Sequence, residues 1–162
     1  MDIVYRPMHL SDVDKVWELL EVLKAENSQV SLIEIPGKDE LKAWINNENL
    51  FLYIAEDEDK VLGLLRAIRG TEHYKRHSVF LSIAIHPDYR GRGIARELTM
   101  TGMEDMKKDG IIIARAYVYS DNIASVNTVL RLGFTFAGAV YMHHYNEDTK
   151  QYVDDLIFHK VL

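Results

Sequence analysis

The spacing of apolar residues changes along the chain, and each change marks an element. Val13, Val16, Leu19, Leu20 and Leu23 fall mostly three and four residues apart, the stripe of a helix with one buried face. Ser11 or Asp12 is placed to cap its start. Residues 3–5 ahead of it read as a short strand, and residues 27–37 behind it are irregular, with Pro36-Gly37 marking a turn. A second helix is predicted from Asp39 to about Asn46-Asn47. Apolar runs at 50–55 and 61–68 flank Glu56-Asp57-Glu58-Asp59, which reads as the acidic turn of a hairpin. The run at 79–85 reads as a buried strand that ends at His86-Pro87-Asp88, because Pro87 has no N–H for a ladder and Asp88 favours a turn.

The second half continues the alternation of strand and helix. Arg90-Gly91-Arg92-Gly93-Ile94-Ala95 opens a helix that runs to about Lys108, with Ile94, Leu98 and Met106 on one face and Ala95 and Met103 widening it. Lys107 and Lys108 suit the negative end of its dipole, and Gly110 stops it. Residues 111–119 are β-branched and aromatic, hence a strand. Asp121 or Asn122 caps a helix from Ile123 to about Leu132, with Ile123, Val126 and Leu130 on one face and Gly133 as its stop. Residues 134–145 and 151–161 are long strands around an Asn146-Glu147-Asp148 turn. Strands with helices between them predict an α/β class with a mixed sheet. No repeat or linker interrupts residues 1–162, which read as a single domain.

The stretch around Gly91 and Gly93 carries the clearest chemistry. The first amides of a helix lack intrahelical partners, and the dipole adds partial positive charge there. Two glycines let a ligand approach the main chain, and Arg90 and Arg92 can fork onto phosphate oxygens. Together they predict a phosphate or pyrophosphate site. It is not a P-loop, since Gly93-Ile94-Ala95 stands where Gly-Lys-Ser/Thr is needed. Nor is it a dinucleotide fingerprint, since Arg96 stands in place of the third glycine.

Composition narrows the classes. Apolar residues make up 48% and charged residues 27%, as in ordinary globular chains. The absence of cysteine excludes disulfides, thiolate metal sites and a cysteine nucleophile. No apolar run has the ~20 residues that span a bilayer, and MDIVYRP lacks the pattern of a signal peptide, so a cytoplasmic protein is expected. The net charge of −6 is uneven: residues 1–60 carry six Lys/Arg against fourteen Asp/Glu, a net of −8, and the remainder a net of +2. This is either a solvated acidic surface or an entrance for a cationic substrate. No basic stripe with interleaved aromatics points to nucleic acid, no membrane partner is expected, and a homodimer is left open.

Arg90-x-x-Gly93-x-Ala95, led in by Ile85-His86-Pro87, resembles the cofactor motif of the GNAT superfamily of N-acetyltransferases. Asn122-Ile-Ala-Ser125 through Leu132-Gly133-Phe134 resembles that family's second cofactor segment, and the order of elements is similar over nearly the whole chain. The resemblance implies a GNAT-like fold: a mixed, mainly antiparallel central sheet of about seven strands with about four helices. It implies acetyl-CoA as co-substrate. The amides of Arg90, Gly91, Arg92, Gly93, Ile94 and Ala95 would hold its pyrophosphate, and the edge formed by Ile83, Ala84 and Ile85 would pair with its pantetheine arm. Asn122 and Ser125 would contact the arm near its sulfur, although Asn122 is also a plain helix cap.

The implied reaction is acetyl transfer to the primary amine of a small molecule or peptide N-terminus, by direct attack in a ternary complex. The alternative is an inactive acetyl-CoA-binding sensor or interaction module. An amine attacks only when neutral, so a base is needed, and the leaving sulfur needs a proton. Many family members supply that proton from a tyrosine where this chain has Val129. Tyr119 is the first substitute expected, ahead of Tyr117, Tyr141 and Tyr145. For the base, His77 lies nearest the family's position, with Glu72 and His73 beside it. The resemblance lines the acceptor pocket from Glu26, Glu34, Glu40, Tyr141, His143, Tyr145 and Asp154. His143 and His144 fall on opposite faces of a strand, and no metal is expected.

Overall fold

The computed structural model describes residues 1–162. A seven-stranded sheet runs in the order β1 (Val4–Pro7), β2 (Leu50–Asp57), β3 (Lys60–Arg69), β4 (Ser78–Ile85), β5 (Ile113–Tyr119), β7 (Gln151–Val161) and β6 (Thr135–Asn146). Every neighbouring pair is antiparallel except β4 and β5, which are parallel. The helices are α1 (Val13–Ala25), α2 (Lys38–Ile45), α3 (Ile94–Lys108) and α4 (Ile123–Arg131). This is the mixed, mainly antiparallel sheet with four helices that the resemblance implied, and no helix is long and apolar enough to cross a membrane.

Side-chain alternation along the strands divides the core between the two faces of the sheet. Leu52, Ile54, Leu64 and Ala84 pack beneath α1 and α2, with all five residues of the predicted α1 stripe buried against them. Tyr53, Leu65, Ala67, Val79 and Leu81 pack beneath α3. Gly102 sets how closely α3 approaches: an added Cβ would lie 2.7 Å from Leu65 and 3.1 Å from the Tyr53 ring.

Three local differences have physical causes. The helix predicted from Arg90 begins at Ile94, because Gly91 and Gly93 take left-handed φ values of 75° and 80°. Strands β2 and β3 extend into the acidic segment until Asp57 pairs with Lys60, leaving only Glu58 and Asp59 for the turn. In α4, Ile123 and Leu130 are exposed while Val129 is buried. Two stripes of helical spacing overlap in that segment, and packing on β5 and α3 selects the one through Val126, Val129 and Leu132.

A knot of charge ties β1, α1 and β2 together. Both guanidinium nitrogens of Arg6 donate to the buried Asp12 carboxylate at 2.8 Å, and the His9 N–H adds a third bond at 2.7 Å. Arg6 also reaches Glu56 at 2.6 Å, which in turn accepts from Lys15 at 2.7 Å. The hydrogen bonds from Arg6 hold the Asp12 carboxyl below its ordinary range, and burial opposes them only in part. A carboxyl depressed in the fold contributes stability that is present above its unfolded pKa and lost as pH falls. Asp12→Asn is therefore expected to cost roughly 2–3 kcal/mol near neutrality, since it takes away the bidentate partner of Arg6 and leaves it only Glu56. It should also flatten the loss of stability between about pH 5 and pH 3. Chemical denaturation across that range measures both, and a variant with the wild-type pH slope would show Asp12 to be idle.

Candidate active site

The parallel pair β4 and β5 opens the site. The two strands register over only four positions, from Ser78 opposite Ile113 to Leu81 opposite Ala116. Beyond them β4 stays on β3 and β5 stays on β7, so the strands part. The phase of β4 shows which groups this exposes. The Ser78 carbonyl accepts from Gly70, and the His86 N–H donates to Leu62, so even-numbered residues bond towards β3. Ile83 and Ile85 therefore turn their main-chain groups to the gap. Ala84 turns its own to β3 and buries its methyl under α1, so of the three predicted edge residues it does not face the gap.

The glycine turn stands at the mouth of this gap. After Arg90, the next main-chain N–H to find a backbone acceptor is that of Glu97, on Gly93 at 3.1 Å; those of Gly91, Arg92, Gly93, Ile94, Ala95 and Arg96 have none. An added Cβ at Gly91 or Gly93 would meet nothing within 4 Å, so open space lies before these amides. Free donors, a helix dipole and open space fit a pyrophosphate. The arginines depart from expectation. The Arg90 N–H donates to Pro87 at 3.3 Å, and its guanidinium is held by Glu26 at the end of α1 and by the Ile85 carbonyl. Arg92 folds back onto the Asp88 carbonyl at 3.1 Å and over the Tyr89 ring. Both side chains brace the turn, because protein acceptors lie nearer than the open space. His86 is structural: it is buried, its Nδ1 accepts the Asp88 N–H at 3.3 Å, and burial pushes its imidazole below the ordinary range.

On the β5 side, Asn122 caps α4 by accepting the Ser125 N–H on Oδ1 at 3.2 Å. Tyr119 ends β5 on the α1–α2 face of the sheet, and its ring lies 4.1 Å from that of His144. Nδ1 of His144 is buried and has no partner. His144 reaches Tyr119 through an irregularity in β6, where the register shifts between Val140 and His144. Met142 there takes φ 51°, and Asp154 accepts its N–H at 2.8 Å. Asp154 thus braces the bulge rather than lining a pocket. Tyr145 faces the other way, edge-on to Tyr152, and Tyr141 and His143 are exposed on the bulge.

His77 is not brought to this place. It sits before β4, where its carbonyl accepts from Ile112 and Ile113 at 2.8 and 3.3 Å, six residues and roughly 20 Å from Ile83. Val129 is core. Of the acidic residues, Asp12, Asp14, Glu26 and Glu56 pair with cations of the chain itself, and only Arg90, on Glu26, comes from outside residues 1–60.

The model of the acetyltransferase (GNAT) family matches residues 16–134. This chain belongs to that family. The GNAT chain is 33% identical over 98 residues to the mycothiol acetyltransferase of Rhodococcus jostii, an alignment covering 57% of this chain and 32% of that protein. It therefore spans about a third of the length of the curated relatives it matches. Its fold matches the ribosomal-protein-alanine N-acetyltransferase of Brucella melitensis with a TM-score of 0.84, at 22% identity over 98% of this chain and 99% of that one. It matches a Salmonella typhimurium protein solved with its cofactor acetyl-CoA with a TM-score of 0.86, at 18% identity over 100% of this chain and 95% of that one.

His144 escaped the reading of the sequence because a strict two-residue period cannot foresee a bulge. Gly93→Val is expected to weaken acetyl-CoA binding by about tenfold or more. It places a β-branched residue at positive φ and fills the space before the amides. Calorimetry on the folded variant checks this, and wild-type affinity would remove the pyrophosphate assignment.

Proposed function

We propose that this chain transfers the acetyl group of acetyl-CoA to a primary amine, by direct attack within a ternary complex. The observation that carries this reading is the gap between β4 and β5, with unpaired main-chain groups on Ile83 and free amides from Gly91 to Arg96 at its mouth. The amides of that turn hold the pyrophosphate, and the edge of β4 pairs with the pantetheine arm as an added strand would. Acetyl-CoA supplies, when bound, an acyl group activated as a thioester. The chain's own part is to align the amine beside that edge and to manage two protons.

Tyr119 is assigned the proton for the leaving sulfur. It ends the strand that forms the far wall of the gap, and no protein acceptor holds its hydroxyl. His144 is assigned the part earlier given to His77, acceptor of the amine's proton directly or through water. An imidazole suits proton removal near neutrality, and this one packs on Tyr119. Val129, buried on the opposite face, takes no part. The Tyr119–His144 pair at the gap favours an enzyme over an inactive binding module. A relative named for mycothiol and structural neighbours named for ribosomal-protein alanine and spermidine leave the acceptor open within amines.

Tyr119→Phe is expected to lower turnover about a hundredfold while acetyl-CoA affinity stays within about twofold. Thiol release measured with a panel of amines, beside calorimetry for the cofactor, separates the two effects. Full turnover in the Phe variant would transfer the proton to water. Absence of thiol release from wild type across polyamines, amino acids, aminoglycosides and peptide N-termini would overturn the reading.

A further inference from the structure

Arg66 is a half-buried cation without a counter-ion. Arg66 lies in the middle of β3, in register with Leu52 on one side and Ser82 on the other, and points to the α1–α2 face. Its guanidinium lies 4.5 Å over the Trp44 ring. Its Nε is buried without a hydrogen-bond partner, and Nη2 reaches only the Ser31 hydroxyl, at 3.4 Å. Ser31 in turn lies 3.4 Å from the Ser82 hydroxyl. These are long contacts, and no side chain among the three carries an anion. Arg6, Arg69, Arg90 and Arg96 each lie within 4.0 Å of a carboxylate; Arg66 does not, and it is the one arginine with a buried nitrogen that has no partner. Glu40 bears on it only through space, its carboxylate accepting the Trp44 indole N–H at 3.1 Å.

A guanidinium stays protonated even where water is withdrawn from it, and a buried charge without a bonded partner is costly. Burial lowers the Arg66 pKa, as expected of a cation with no ion pair. Its position gives that cost a use. Ser82 is the first residue of β4 beyond the last pair with β5, so the gap opens beside it. Arg66 stands one strand further in, about 5 Å from β4 and about 10 Å from the line of β5. A molecule the size of an amino acid or dipeptide bridges that distance.

We propose that Arg66, Ser31 and Ser82 bind a carboxylate of the acceptor, so that the substrate class is a small amine bearing its own carboxylate rather than a polyamine. The proposal deepens the acetyltransferase reading and rests on it for the identity of the other reactant. The guanidinium fork donates to both carboxylate oxygens, and the two hydroxyls complete the set of donors. The same cation repels a polyamine. Fixing the carboxylate at Arg66 leaves the amine directed to the edge of Ile83.

Trp44 reports on this site independently of turnover. In a Trp17→Phe background its emission is titrated with the common amino acids and a set of dipeptides, each beside its C-terminal carboxamide, and with spermidine. At least one acid is expected to give a saturable change, with its carboxamide and spermidine needing at least about tenfold more, the discrimination of one charged hydrogen-bonded contact. Arg66→Gln should abolish the response to the acid and leave its thermal midpoint no lower than wild type, because it removes an unpaired buried charge. Ser82→Ala should weaken the response a few-fold in a protein whose core is untouched. Thiol release with acetyl-CoA should follow the same order of ligands. If no acid perturbs Trp44, or acid and carboxamide act alike, or folded Arg66→Gln responds as wild type does, the carboxylate site is overturned. Acid-selective binding without thiol release would uphold the site and sink acetyl transfer. Equal thiol release from acids and carboxamides would do the reverse.

Discussion

The structure depends on a hydrogen-bond ladder that stops. Within an otherwise antiparallel sheet, β4 and β5 run parallel and are held on their outer sides by different partners, β3 and β7. Each outer pairing is longer than the four positions the two strands share. The sheet's twist therefore carries them apart without melting either one. A gap made this way presents main-chain donors and acceptors between strands that are paired on their outer sides, and it can do so because it is rooted in a full sheet. The glycine turn and the cap of α4 are placed at its mouth by the shortness of the connections that follow β4 and β5.

Much of this was legible in the sequence, for reasons that differ by element. The α1 stripe was readable because it has one strong periodicity and one burial partner. The glycine turn was readable because only glycine takes its backbone conformation easily, so the chemistry is written in residue type. The use made of Arg90 and Arg92 was not, since a guanidinium goes to the nearest acceptor, and Glu26, sixty-four residues away, supplies one. Nor was the buried face of α4, where two stripes competed.

The charge distribution teaches a related point. Fourteen acidic residues in the first sixty suggest a field directed at solvent. Several of them bond across elements to Arg6, Lys15 and Lys38, at 2.6–2.7 Å, and to Arg90. A net charge already cancels such pairs, so it does not say which acidic side chains stay unpaired at the surface. The cation that matters most for the acceptor side, Arg66, is invisible to such a count, since what sets it apart is a missing neighbour.

The irregularity in β6 bears on how function is carried between related chains. The sum of paired residue numbers along β6 and β7 is 295 at Val140–Asp155 and 297 at His144–Val153, so two residues of β6 have no counterpart on β7. With the further single-residue shift between Phe136 and Gly138, any residue-by-residue correspondence drawn back from the final hairpin is offset by three from one drawn forward from the Gly133-Phe134 ending. A chain lacking only the two residues inserted between Val140 and His144 would keep the sheet and the same alternation of faces, yet set a different side chain against Tyr119. For proteins of this shape, equivalence of the group beside that tyrosine has to be established in space, because counting along the chain yields two answers.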